Sequence, residues 1–198
     1  MTFVSSFYNL TVELQNIDLD LYAKFRVKTP RHPLETIEHL HARFLAFIHN
    51  YDQGLEFSQG LFEPGQPTIW KRDVIGEVLK WIQVGVPTRK QLEAAIHTHK
   101  KADFLIFLYY PEQIHNFLHE MRGSRLTPFS QVKFFQISEK LLEQLTPLES
   151  SSPVWNVTCI DNNLYIACND VEVSSSIEEI NMENAYQSSI GNIKEDSA

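Results

Sequence analysis

The chain has 198 residues, 43% hydrophobic, 12% aromatic and 21% charged, with 7 Gly and 9 Pro. That length supports one domain with a sizeable core, and the composition excludes a collagen-like, coiled-coil or wholly disordered chain. The net charge of -8 is uneven: residues 171–198 carry six acids and one lysine, or -5 of it, which argues against a uniformly basic nucleic-acid binder but leaves room for a local basic cleft.

The start of the chain lacks a basic segment followed by an apolar run, so no secretory signal is expected. The longest apolar run, Phe104 to Tyr110, is far short of the roughly 18–20 residues that span a bilayer. Cys159 and Cys168 are too few for a disulfide scaffold or a zinc site. They read as buried free thiols of a cytoplasmic protein.

In chain order, 3–14 and 19–28 predict a β-hairpin, with Leu21, Ala23, Phe25 and Val27 inward and Lys24, Arg26 and Lys28 on the solvated side. Pro33 predicts the first position of a helix whose apolar stripe runs from Leu34 to Tyr51. Gly54, Gly60, Pro64, Gly65 and Pro67 mark a loop, interrupted by a short strand near 55–58. A second hairpin follows over 69–72 and 77–84, with Leu79, Trp81 and Gln83 on one face and Val78, Ile82 and Val84 on the other. Thr88 and Gln91 have the spacing of a reciprocal helix cap. The unalternating run at 104–110 predicts a strand covered on both faces, and strand, helix and strand together predict a parallel crossover. Pro111 to Met121 predicts another helix, 132–137 a strand, 139–145 a short helix and 155–167 a C-terminal hairpin. The Ser-, Asn- and Glu-rich residues 175–198 predict a flexible acidic tail beyond a domain at 1–174.

Between residues 31 and 109 the segments RHPLETIEHLHARFLAF, GLEFSQGLFEPGQPTIW, GEVLKWIQVGVPTRKQLEAA and FLIFLYY resemble the YaeQ family, in that family's order and spacing. The resemblance implies a PD-(D/E)XK, restriction-endonuclease-like α/β fold: a mixed β-sheet flanked by helices, with N- and C-terminal β-hairpins. That fold usually hydrolyses phosphodiesters with Mg²⁺ held by two or three carboxylates and assisted by a lysine. Carried over by residue, the resemblance implies an active-site region at Glu35, Glu38, Thr68, Gln83 and Lys90. Both first-helix glutamates stand, with His39 in place of the family's arginine. At the two strand positions that are commonly acidic the chain has Thr68 and Gln83, and Ala94 stands where a lysine is common. Trp81, Ile82, Val84 and Gly85 fix the register around Gln83. A neutral carbonyl and a hydroxyl are poor ligands for a hard dication, so a degenerate metal site is expected, with no bound metal. An active Mg²⁺ nuclease rebuilt from Glu35, Glu38, Asp73 or Glu77 is the alternative.

Other patterns carry less. Glu35 also reads as a helix-end charge, and Glu38 as a partner of His41 or Arg43. His115 and His119 are four apart on one helix face but lack the glutamate of a metalloprotease helix. Gly85-Val86-Pro87-Thr88 sits at a strand-to-helix turn like a phosphate-binding loop, without its glycine pattern. Arg31, Lys80, Arg89, Lys90, Lys100 and Lys101 read as either a nucleic-acid-binding patch or a solvated face. The expectation is therefore a non-catalytic module that binds nucleic acid or a protein, with no membrane partner. An interaction protein working through the acidic tail is a further alternative.

Overall fold

The structure, a computed structural model, describes residues 6–58, 65–126, 129–148, 153–161 and 163–195. The readings at 3–5, Gly60, Pro64, Asn162 and 196–198 lie outside these residues. Strands β1 (Ser6–Asn16) and β2 (Leu21–Arg31) form the N-terminal hairpin. In β1, Tyr8, Leu10, Val12 and Leu14 are buried at period two, and β2 keeps Lys24, Arg26 and Lys28 in solvent as its alternation predicts. Helix α1 (Ile37–His49) follows, then β3 (Leu55–Phe57), β4 (Ile69–Arg72), β5 (Val78–Val84), α2 (Arg89–Thr98) and β6 (Asp103–Leu108). Next come α3 (Glu112–Glu120), β7 (Val132–Ile137), α4 (Glu139–Leu145), a 3₁₀ turn at Thr146–Leu148, β8 (Val154–Ile160), β9 (Asn163–Cys168), β10 (Val171–Ile180) and α5 (Met182–Glu195).

All ten strands join one mixed sheet, in the order β2-β1-β8-β9-β10-β7-β6-β5-β4-β3. β5, β6 and β7 run parallel, as the crossover through α2 predicts, and β6 lies between the other two. β6 is buried on both faces: Leu105 and Phe107 join the core cluster that holds α1 and α4, while Phe104, Ile106 and Leu108 join the cluster beneath α2 and α3. Both cysteines are free and buried in the first cluster. Burial and the charge of Asp18 push the Cys159 thiol up to about 11. No helix among the described residues is long and apolar enough to cross a membrane.

Three expectations are corrected. Helix α1 begins at Ile37 rather than Pro33, because the Thr36 hydroxyl caps it by accepting the His39 amide at 3.2 Å. Leu34 is consequently 74% exposed rather than inward, and Glu35 precedes the helix. In β5, Val78 packs with Trp81 rather than with Ile82, because the β4–β5 register slips between Lys71 and Arg72 and the bulge reverses its side. Finally, residues 175–195, expected as a flexible tail, hold the end of a strand and a helix. β10 pairs first with β9 (Val173↔Ile166) and then with β7 (Ile177↔Ile137), and α5 follows from Met182. Burial of Val173, Ile177 and Met182 holds this segment, and the serines between the apolar positions disguise its period.

Candidate binding pocket

A cavity of about 950 Å³ opens at the C-terminal ends of β5 and β6, where ligands of parallel α/β sheets commonly sit. It is walled by the turn before α1, by α1 itself, by Ser58 and residues 65–68, and by the faces of α2 and α3. Of the residues carried over from the resemblance, Glu35, Thr68, Gln83 and Lys90 line it together with Ala94. Glu38 is not among the lining residues, although it lies in the first turn of α1.

Glu35 is fixed in a turn by its amide, which donates to the His32 carbonyl at 2.9 Å. Its carboxylate is 7% exposed as a residue and faces two partners. Arg43 Nη1 donates to both oxygens, at 3.0 and 3.2 Å, and His39 Nδ1 lies 2.8 Å from Oε1. Burial raises the carboxyl, but the hydrogen bond from His39 and the charge of Arg43 outweigh it and leave Glu35 below the ordinary carboxylate value. Arg43 is itself buried and also donates to Thr29 Oγ1 and the Pro30 carbonyl. Sequence reading missed this pair because it placed Glu35 inside the helix and offered Arg43 to Glu38.

Thr68 and Gln83 are engaged with backbone. Thr68 Oγ1 accepts the Val84 amide at 3.0 Å, extending the β4–β5 ladder beyond the Ile69↔Ile82 rung. Gln83 Nε2 donates to the Val84 carbonyl at 3.1 Å, and its Oε1 is buried with no hydrogen-bond partner. The acids proposed to rebuild the site are used elsewhere: Asp73 Oδ1 accepts the Ile75 and Glu77 amides in the β4–β5 turn, and Glu77 lies 3.5 Å from Lys101. The Mg²⁺ that the resemblance implies needs several anionic oxygens converging on one point. The donors here do not fit it, since among the described residues the lining offers one carboxylate and that carboxylate is shared by an arginine and a histidine.

The turn into α2 does not cradle an anion either. Gly85 N–H donates to the Phe107 carbonyl, Pro87 has no N–H, and the Arg89 amide donates to Glu120 Oε1 at 2.8 Å. Thr88 caps α2 as expected, but the Gln91 side chain does not reach back to it. Gln91 Nε2 donates instead to the Gln66 carbonyl across the pocket mouth, at 3.0 Å. The basic candidates divide between two ends of the sheet. Lys90 lines the pocket, and Arg89 is held by the Arg122 carbonyl. Lys80 stands opposite Asp103 at the far end of β5 and β6 and lies 3.9 Å from Asp52, while Lys101 pairs with Glu77. Lys100 is exposed beyond the end of α2, and Arg31 ends β2.

Several lining residues were not singled out from sequence, Gln66, Gln113, Asn116 and Tyr109, and Arg43 was read only as a partner of Glu38. Gln113 Oε1 accepts the amides of Tyr109 and Tyr110, tying α3 to the end of β6. A glutamine at the second position of the helix that follows an apolar strand is the signal that could have found it. Burial raises the Tyr109 phenol, with the charges of Tyr110, Glu35 and Glu38 adding to the effect.

These features define a mixed α/β domain whose pocket lies at the carboxyl ends of parallel strands. Residues 1–177 match the family model described as YaeQ protein, and the chain belongs to that family. Proteins named "Uncharacterized protein YaeQ" from Salmonella typhi and Escherichia coli (strain K12) are 23% and 22% identical to it over 175 and 176 residues, covering 95% and 96% of their lengths and 87% and 88% of this chain. The crystal structures of YaeQ proteins from Xanthomonas axonopodis pv. citri and Pseudomonas syringae are similar, with TM-scores of 0.78 and 0.77 at 20% identity. Both cover 89% of this chain, and 98% and 96% of their own chains respectively.

Proposed function

We propose that this YaeQ-family chain is a nucleic-acid-binding module on a PD-(D/E)XK-like core, with a degenerate metal site that holds a strand without cutting it. One observation carries the reading: the Glu35 carboxylate is bound by Arg43 at 3.0 and 3.2 Å and by His39 at 2.8 Å. Anchoring a dication there means breaking a buried ion pair, at a cost of about 3–5 kcal/mol. With Glu35 neutralised by Arg43, Lys90 leaves the described part of the lining weakly positive, which suits a phosphodiester better than a divalent cation.

The test is retention of the protein on single- and double-stranded homopolymers, alongside cleavage assays in Mg²⁺ and Mn²⁺. The reading predicts retention without cleavage. Because the cations are split between two ends of the sheet, it also predicts a shallow salt dependence, equivalent to about one or two phosphate contacts. Metal-dependent cleavage, or no retention even at low salt, contradicts it.

A second reading, a protein-binding module, rests on the β4–β5 turn. There Asp73 fixes the backbone while Val74 is fully exposed and Ile75 is 78% exposed. If Val74→Ser with Ile75→Ser abolishes capture of a partner while polymer retention is unchanged, that turn is the docking point.

A further inference from the structure

We infer that the pocket takes one nucleobase, extruded from a strand or carried by a free nucleotide, and that it favours bases bearing an exocyclic amine. The inference rests on the nucleic-acid reading above and adds the unit that enters and its chemistry.

Three side-chain amides of the pocket lining are pinned at one end by backbone groups. Gln83 Nε2 donates to the Val84 carbonyl and Gln91 Nε2 to the Gln66 carbonyl, so each has its oxygen left to offer a ligand. Gln113 is pinned the other way, its Oε1 accepting two backbone amides while its side chain also bonds the Tyr109 phenol, so it offers a ligand no acceptor. The Oε1 atoms of Gln66 and Gln83 are buried and without hydrogen-bond partners. Buried acceptors of this kind lack donors, and a ligand that brings N–H groups satisfies them.

Among the unpartnered buried polar atoms of the described lining, the two acceptors, Gln66 Oε1 and Gln83 Oε1, outnumber the one donor, Arg43 Nε, and both acceptors belong to neutral side chains. Saccharide hydroxyls do not select such a bias, because a hydroxyl donates and accepts equally well. A base edge does: guanine, adenine and cytosine each present an amine, whereas uracil presents two carbonyls and one N–H. The half-buried Tyr109 ring also lines the pocket and offers a stacking surface, as single-strand binders commonly use. Lys90, on the exposed first turn of α2, is placed for the attached phosphate. The volume of about 950 Å³ admits one nucleotide.

The test is calorimetric titration of the full chain with GMP, AMP, CMP, UMP and ribose 5-phosphate, and with homopolymers in parallel. Saturable binding is expected for the three amine-bearing nucleotides, with UMP and ribose 5-phosphate weaker by about tenfold or more. Gln83→Leu and, separately, Gln91→Ala should each weaken that binding about tenfold, and Lys140→Ala, exposed on α4 and outside the pocket, should leave it unchanged. Equal binding of UMP, or of ribose 5-phosphate, overturns the inference. So does undiminished binding in folded Gln83→Leu or Gln91→Ala, and the nucleotide ranking decides even where one variant does not fold. Polymer retention without mononucleotide binding overturns the inference and leaves the nucleic-acid reading standing, whereas absence of both overturns the two together.

Discussion

Arg43 and Glu35 meet in the pocket wall through one guanidinium nitrogen and both carboxylate oxygens, eight positions apart in sequence and buried together. Replacing Arg43 with Leu leaves the Glu35 charge buried and without its main counter-charge. The expected loss is about 3–5 kcal/mol in urea unfolding, and the double variant Glu35→Leu with Arg43→Leu should lose less than Arg43→Leu alone. A double variant that is less stable than Arg43→Leu would show the pair to be a net stabiliser and not a compensated burial.

His49, near the end of α1, packs its ring against Phe107 and Phe135, and burial lowers it from 6.5 to about 4. Between those values the unfolded chain binds the proton and the native one does not. This contribution is therefore fully present above about pH 6.5 and is lost as pH falls toward 4, up to about 3 kcal/mol in all. Unfolding midpoints across pH 4–7 should slope upward with pH, and His49→Leu should flatten the slope. An unchanged slope in that variant assigns the effect to other groups.

Truncation after residue 174 should abolish the cooperative unfolding transition, because it removes the half of β10 that pairs with β7 and the buried side chains of Ile177 and Met182. Ending the chain after residue 187 keeps both and should preserve the transition. In the full chain Ile177→Ala should cost about 2–5 kcal/mol. Loss of partner capture on deleting 175–198 therefore does not by itself assign binding to an acidic tail.

These cases also show what the sequence could and could not reveal. Trp81, Ile82, Val84 and Gly85 pinned β5, and the apolar run at 104–108 pinned β6, because local period and composition decide such elements. The pocket residues Glu35, Thr68, Gln83 and Lys90 were reached through the family resemblance and lie together. What stayed hidden depended on which side chain meets which backbone group. The Thr36 cap moved the start of α1, the Arg43 pairing neutralised Glu35, and Gln113 and Gln66 joined the pocket from elements with no motif of their own. The second half of β10 was missed because its apolar residues are spaced by serines and its partner there, β7, lies 40 positions earlier in sequence (Ile177↔Ile137).

Thr68→Val should remove the acceptor for the Val84 amide and leave that N–H without it, at a cost of about 1–3 kcal/mol. Hydrogen exchange at Val84 should accelerate well beyond the change in global stability. If exchange at Val84 changes only with global stability, the hydroxyl is not the strap that holds the β4–β5 edge.

The most direct test of a binding pocket without a catalytic metal is calorimetric titration of the full chain with Mg²⁺ and Mn²⁺. The account predicts no saturable site below the millimolar range, in the wild type and in Glu38→Ala alike. Micromolar binding of either ion, lost in Glu35→Gln or Glu38→Ala, would contradict it and restore the rebuilt nuclease.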